Sequence, residues 1–185
     1  MAGHRARLAG MLFVATIATV PAAAAQGDGC TGREALPDHL RSADCRVVAR
    51  IADGLRRSST LRGVVDRIGE LRGIVYVDEG FYRQPNTGRV LTGALSHEVR
   101  FAGTLTILRV RIANLRGDQT IATLGHELQH AVEVLDVPAA RDEAAIDVLF
   151  GRLGAPVYDG IVETARARET ELRIRRELAE NRRSK

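Results

Sequence analysis

The sequence predicts a single α+β domain in residues 26–185, preceded by an export signal in residues 1–25. Apolar residues recur at helical spacing in five segments, and three segments between the second and third of these are rich in β-branched residues. The resulting order is two helices, three strands and three helices, which is typical of an α+β domain. We expect a small mixed sheet in the N-terminal half and a helical C-terminal part.

The first 25 residues have the pattern of a secretory signal peptide. Arg5 and Arg7 give a basic start, residues 8–20 are almost all apolar, and residues 22–25 are alanine. The apolar run has 13 residues, whereas a membrane-spanning helix needs about 20. We therefore expect cleavage after Ala25 and a secreted or periplasmic protein that keeps no stable membrane anchor.

The composition limits the class of partner and the redox environment. Without Arg5 and Arg7 the mature chain has 25 basic and 23 acidic residues, a net charge of +2. Such a mild charge disfavours nucleic acid and anionic membranes as partners. Cys30 and Cys45 are the two cysteines, and an even count in an exported protein predicts a disulfide bond, with two free thiols as the alternative.

The bounds of the elements follow from the spacing of apolar residues and from turn and capping residues. The predicted helices span residues 44–57, 61–71, 119–135, 138–153 and 160–181. The predicted strands span residues 74–77, 90–95 and 103–113. In the third strand Leu108, Val110 and Ile112 alternate with two arginines, which indicates one buried and one solvated face.

An H-E-x-x-H motif, His126 to His130, lies inside the predicted helix 119–135. Residues four apart on a helix share a face, so the two imidazoles can bind one Zn²⁺. Glu127 lies about 100° around the helix from His126, where its carboxylate can take a proton from a water that zinc has acidified. The motif predicts a zinc site with Glu127 as general base, and two surface histidines on an amphipathic helix are the alternative.

A catalytic zinc site usually has three protein ligands and a water. Glu133 lies about 10 Å along the helix axis from His126, so we expect it to support a ligand or to lie on the polar face. Glu163, at the start of the last predicted helix, is the favoured third ligand, because an antiparallel return of that helix brings it near the motif. Glu143 is the second candidate, and Glu169 lies deeper in the last helix.

These features resemble the zincin metallopeptidases, in which strands lead into an H-E-x-x-H helix and later helices follow. A later glutamate makes the gluzincins the nearest branch. The resemblance is strongest over residues 119–135, and the segment TLGHELQHAVE also resembles small exported bacterial proteins of unassigned function. It implies that His126, His130 and Glu163 bind zinc and that Glu127 is the general base.

The resemblance also implies how substrate is held, and it has one clear departure. The strand nearest the active helix binds the substrate backbone in zincins, and we expect residues 103–113 to be that edge strand. Tyr158, five residues before Glu163, is the predicted hydrogen-bond donor to a developing oxyanion, with His97 as a second candidate; either residue can also be structural. Ala167 stands where thermolysin-like gluzincins often have an aspartate.

The sequence therefore predicts a zinc-dependent hydrolase, most directly a peptidase acting on a peptide or protein outside the cytoplasm. A non-catalytic, zinc-stabilised binding module of the cell envelope is the alternative, and a structural domain without metal is a third reading. Arginine and glutamate interleave over residues 163–183, which indicates a solvated helix face rather than an anion-binding surface.

Overall fold

The chain is described by a computed structural model over residues 36–83, 88, 90–113, 116–158 and 161–183, and in these residues the predicted α+β class is confirmed. The elements in chain order are β1 (Leu40–Arg41), α1 (Cys45–Arg57), α2 (Ser59–Glu70), β2 (Gly73–Glu79), β3 (Tyr82–Arg83), β4 (Val90–Leu91), β5 (Gly93–Ala102), β6 (Leu105–Ile112), α3 (Asp118–Leu135), α4 (Glu143–Leu153), β7 (Gly154–Tyr158), β8 (Ile161–Thr164) and α5 (Ala165–Arg183).

Two predictions fall on residues outside this description. Residues 1–35 include the predicted signal peptide and Cys30, so both the signal and the disulfide bond to Cys45 stay predictions.

Among the helices of the described part, none combines the length and the apolar character that crossing a membrane requires.

The core sheet is mixed and has the strand order β1-β2-β6-β5. β1, β2 and β6 run parallel to one another, and β5 runs antiparallel to β6. As predicted, Leu108, Val110 and Ile112 are buried while Arg109 and Arg111 are exposed. The buried face of β6 packs with β2 and the helices into one apolar core.

The prediction that residues 103–113 form the edge strand is wrong. β6 lies between β2 and β5, and β5 is at the edge of the described sheet. Gly103 lies in the turn that joins β5 to β6, where it adopts a positive φ of 62°, and β6 begins at Leu105. β6 pairs with β2 on one side and with β5 on the other. The predicted strand 90–95 is also split, because residues 90 and 91 pair with β3 and β5 starts at Gly93.

The C-terminal part differs from the prediction at two helix starts. α4 begins at Glu143 instead of residue 138, because the Asp142 side chain accepts a hydrogen bond from the backbone of Ala145 at 2.8 Å and caps the helix there. The last helix begins at Ala165 instead of residue 160, because β7 and β8 form an antiparallel pair before it. The sequence pattern did not indicate this pair.

Helix α5 packs along α3, which is buried from Thr120 to Val134. The contact face of α5 consists of Ala167, Thr170, Ile174 and Leu178, all buried. A Cβ added at Gly125 would overlap the Ile174 side chain, so the glycine just before the motif lets the two helices approach closely. This approach brings the first turns of α5 beside the histidines.

A carboxylate from α5 also satisfies the start of α2. Glu177 accepts hydrogen bonds from the hydroxyls of Ser59 and Thr60 and from the Thr60 backbone N–H. Unpaired N–H groups at a helix start need such an acceptor. The contact therefore anchors the middle of α5 to α2, and α5 in turn supports the motif helix.

We expect Glu177→Ala to lower the free energy of unfolding by about 1 kcal/mol, the usual cost of losing a helix cap. Glu169→Ala is the matched control, because Glu169 is 59% exposed on the same helix and pairs with Arg173 at the surface. Urea unfolding of the metal-free protein measures both. Equal losses for the two variants would contradict the capping role of Glu177.

Candidate metal centre

Helix α3 presents the two motif histidines on one face, one turn apart. Their ring centroids lie 4.9 Å apart, and both side chains are 9% exposed. The His130 ring also meets the edge of the Phe150 ring of α4 at 5.2 Å between centroids. Packing therefore holds the two imidazole rings in place without a metal.

Glu163 completes the cluster from β8. Its Oε2 lies 3.3 Å from Nε2 of His126, and its side chain is 24% exposed. One ligand atom each from His126, His130 and Glu163 lie within 4.8 Å of one another, so this group could hold a metal ion. The favoured three residues thus come together, although Glu163 lies in a strand and not at the start of a helix.

The other candidate glutamates lie elsewhere. Glu143 is exposed at the first turn of α4, and Glu169 is exposed on α5. Neither belongs to the cluster that could bind a metal. Glu133 is buried, and its Oε2 lies 2.9 Å from Nδ1 of His130. The prediction that Glu133 supports a ligand is consistent with this contact, which leaves Nε2 of His130 to face the metal position.

A second carboxylate contacts the other histidine, and sequence reasoning missed it. Oε2 of Glu171 lies 3.2 Å from the buried Nδ1 of His126, although the ring N–H is not directed along that line, so the contact is an ion pair rather than a hydrogen bond. Arg175 binds Oε1 of Glu171 at 2.6 Å. Each histidine therefore has a carboxylate near Nδ1, and Nε2 of His126 faces Glu163.

Residue 167 is an alanine, and the carboxylate beside His126 comes from another position of α5. Ala167 is buried against α3, where a carboxylate would have to be desolvated. Glu171, one turn further along α5, supplies the carboxylate beside His126 instead. A sequence signal existed, because Glu171 is next to Thr170 and three residues before Ile174 on the buried stripe of the helix.

The carboxylates around His126 set its charge. Burial alone would lower the pKa of His126, but the contacts with Glu163 and Glu171 outweigh it and raise the pKa to about 10. The contact with His126 in turn lowers the pKa of Glu171 to about 2. Burial would raise the pKa of Glu163, yet the contact with His126 leaves it below its ordinary value.

Glu127 is buried between α3 and the edge strand β5. Burial raises the pKa of its carboxyl group, and the neighbouring His130 and His126, with a smaller effect of the Leu95 backbone N–H, partly offset that rise. A Cβ added at Gly93 would overlap Oε1 of Glu127. Glycine at the start of β5 therefore leaves the space that the carboxylate occupies, which the sequence pattern did not indicate.

The predicted oxyanion donors remain predictions. Tyr158 ends β7, and His97 is within β5. Both side chains lie outside the part of the chain for which side chains are described. Their backbone positions place them on elements that carry or adjoin the cluster.

The donor set suits a divalent metal ion. Two imidazole nitrogens and one carboxylate oxygen form a mixed nitrogen and oxygen donor set. Glu127, Glu133 and Glu171 add three more carboxylates beside the two histidines. Buried negative charge of this size favours a cation as its counter-charge.

We expect the His126 ring of the metal-free protein to titrate near pH 10 instead of 6.5, because Glu163 and Glu171 stabilise its protonated form. A metal ion must displace that proton, so apparent metal affinity should rise with pH between about 6.5 and 10. Ring NMR resonances followed against pH give the pKa directly.

The control for this titration is a pair of variants on α5. Glu171→Gln should move the pKa of His126 downward, whereas Glu169→Gln, which removes an exposed partner of Arg173, should leave it unchanged. A wild-type titration near pH 6.5, or no change in Glu171→Gln, would overturn this account of the charge on His126.

Comparisons of the chain with protein-family models, with curated proteins and with solved structures found no match.

Proposed function

We propose that this protein is a zinc-dependent hydrolase, most directly a peptidase of gluzincin type that acts outside the cytoplasm. The observation that carries the proposal is the grouping of His126, His130 and Glu163 within 4.8 Å, beside the buried carboxylate of Glu127. The export signal predicted in residues 1–25 supports the location.

The H-E-x-x-H pattern on α3 supports zinc as the metal of the proposed site. Two histidines and a glutamate form a ligand set typical of catalytic zinc, which keeps an open coordination position. Zinc bound there would act as a Lewis acid that polarises a carbonyl oxygen and acidifies water. The contact of Glu133 with Nδ1 of His130 would make that imidazole a better ligand and fix its orientation, and Glu171 places negative charge beside His126.

Glu127 has the position and the environment of a general base. It follows His126 directly, so it lies beside the ligands on α3 without belonging to the ligand group. Burial raises its pKa, which makes the carboxylate a stronger base than an exposed glutamate. Its carboxylate would accept a proton from water and pass it to a leaving amine.

The edge strand β5 supports a peptide as substrate. β5 is the last strand on its side of the described sheet, and it passes Glu127 at Gly93 and Leu95. An extended peptide can add to such an edge through backbone hydrogen bonds, which would bring its carbonyl groups to the cluster. We therefore assign binding of the substrate backbone, which the sequence predicted for residues 103–113, to the neighbouring strand β5.

A zinc-stabilised binding module is the second candidate, and the burial of the histidines favours it. Structural zinc sites are closed to water, and both histidine side chains are only 9% exposed. Such a module would lose stability on chelation and would cleave no peptide. Glu127 distinguishes the two candidates, because a structural site has no use for a buried base.

We expect Glu127→Gln to keep about one zinc per chain and to lower kcat/KM on a cleaved peptide by at least about 100-fold, the usual contribution of a general base. The measurement combines metal analysis of residues 26–185 with a peptide-library cleavage assay. Loss of activity with zinc retained would separate the base from the ligands.

Two control variants accompany Glu127→Gln. His130→Ala should lose both zinc and activity, and Glu143→Gln, which changes an exposed glutamate on α4, should lose neither. Full activity in Glu127→Gln would refute the base role. Wild-type protein that binds zinc but cleaves nothing in the library would favour the binding module.

A further inference from the structure

Thr164 joins the third ligand to the helix that carries the other two. It follows Glu163 directly, ends β8 and is 2% exposed. Its hydroxyl donates a hydrogen bond to Oε1 of Glu133 at 2.8 Å and accepts one from the backbone N–H of Ala167 at 3.0 Å. The hydroxyl thus caps α5 and binds α3 at the same time.

Glu133 extends this contact to the metal position. Its second oxygen, Oε2, lies 2.9 Å from Nδ1 of His130. The result is a buried chain that runs from His130 through Glu133 to Thr164, and Thr164 is adjacent in sequence to Glu163. Two ligands on different elements, α3 and β8, are therefore linked without any metal.

We propose that Thr164 is a positioning residue that fixes Glu163 and His130 in their metal-binding arrangement before the metal arrives. The inference rests on the proposed metal-dependent function. The ion pair between His126 and Glu163 cannot serve this purpose, because its two atoms, Nε2 and Oε2, are the ones that would turn to a metal. The hydrogen bond from Thr164 to Glu133 uses no ligand atom, so metal binding need not break it.

Preorganisation of this kind affects the affinity for metal. A ligand that is already in place loses little conformational freedom on binding, whereas a free strand must be ordered at the cost of affinity. Loss of residues that orient metal ligands typically weakens metal binding by 10–100-fold. Thr164 has a further effect, because its cap on α5 fixes the helix that carries Glu171.

The test compares the affinity of three threonine variants for Zn²⁺, measured with a competing chelator on residues 26–185. Thr164→Val keeps the size and branching of the side chain and removes both hydrogen bonds. Thr164→Ser keeps the hydroxyl. Thr170→Val is the matched control, because Thr170 is also buried on α5 and its hydroxyl contacts Gln129 at 3.4 Å without touching a ligand.

We expect Thr164→Val to weaken zinc binding about 10–100-fold, while Thr164→Ser and Thr170→Val stay near wild type. Urea unfolding of the metal-free variants shows how much stability each one loses, so a general loss of stability is separated from a loss of affinity. If Thr164→Val does not fold, Glu133→Leu removes the acceptor of the Thr164 hydroxyl, breaks the same chain at its middle and should weaken zinc binding as well.

Equal zinc affinity in wild type and Thr164→Val would overturn this inference and leave the proposed function standing. The same conclusion follows if Thr170→Val weakens zinc binding as much as Thr164→Val does. A wild-type chain that binds no zinc would instead overturn the proposed function.

Discussion

The packing of α5 against α3 is the contact on which the candidate site depends. α3 alone supplies two histidines and two glutamates, but the third candidate ligand and the carboxylate beside His126 come from β8 and α5. The close approach at Gly125, where a side chain would overlap Ile174, sets the distance between the two helices. The cap of Glu177 on α2 fixes α5 from its other side.

Buried charge explains why the polar residues of this interface face one another. An isolated carboxylate inside a protein is costly, and pairing or a bound cation relieves that cost. Glu133 and Glu171 each meet a histidine, and Glu163 meets the second nitrogen of His126. In the metal-free protein the proton on His126 serves as the counter-charge. A divalent cation at the same place would neutralise more of the negative charge.

The parts of the site that follow from spacing along one helix could be predicted from the sequence. His126, Glu127 and His130 depend on helical periodicity alone, and the long apolar stripe of residues 119–135 identified the helix. Of the four candidate glutamates, Glu163 is the one that the structure places with His126 and His130, and it was favoured because a returning chain must pass the motif. The strand β8 that carries Glu163 was not predicted. β7 has five residues and β8 has four, and strands this short resemble a loop in sequence.

The features that were missed depend on contacts between elements. Glu171 belongs to an arginine-rich and glutamate-rich helix, so composition alone indicated solvent exposure. The order of strands is set by how β5 folds back through Gly103 and pairs with β6, which periodicity within one strand does not report. The role of Gly93 follows only from the structure, in which the Glu127 carboxylate occupies the space that a side chain at residue 93 would need. Sequence therefore indicates the ligands on one element, while packing determines which supporting groups reach them.

The most direct test of the central claim is X-ray absorption at the zinc edge on residues 26–185 reconstituted with Zn²⁺. Ligation by two histidines and Glu163 predicts nitrogen and oxygen donors at about 2.0–2.2 Å, with the outer scattering of two imidazole rings and no sulfur. Protein that retains no zinc, or a spectrum without imidazole scattering, would contradict a metal centre at His126 and His130.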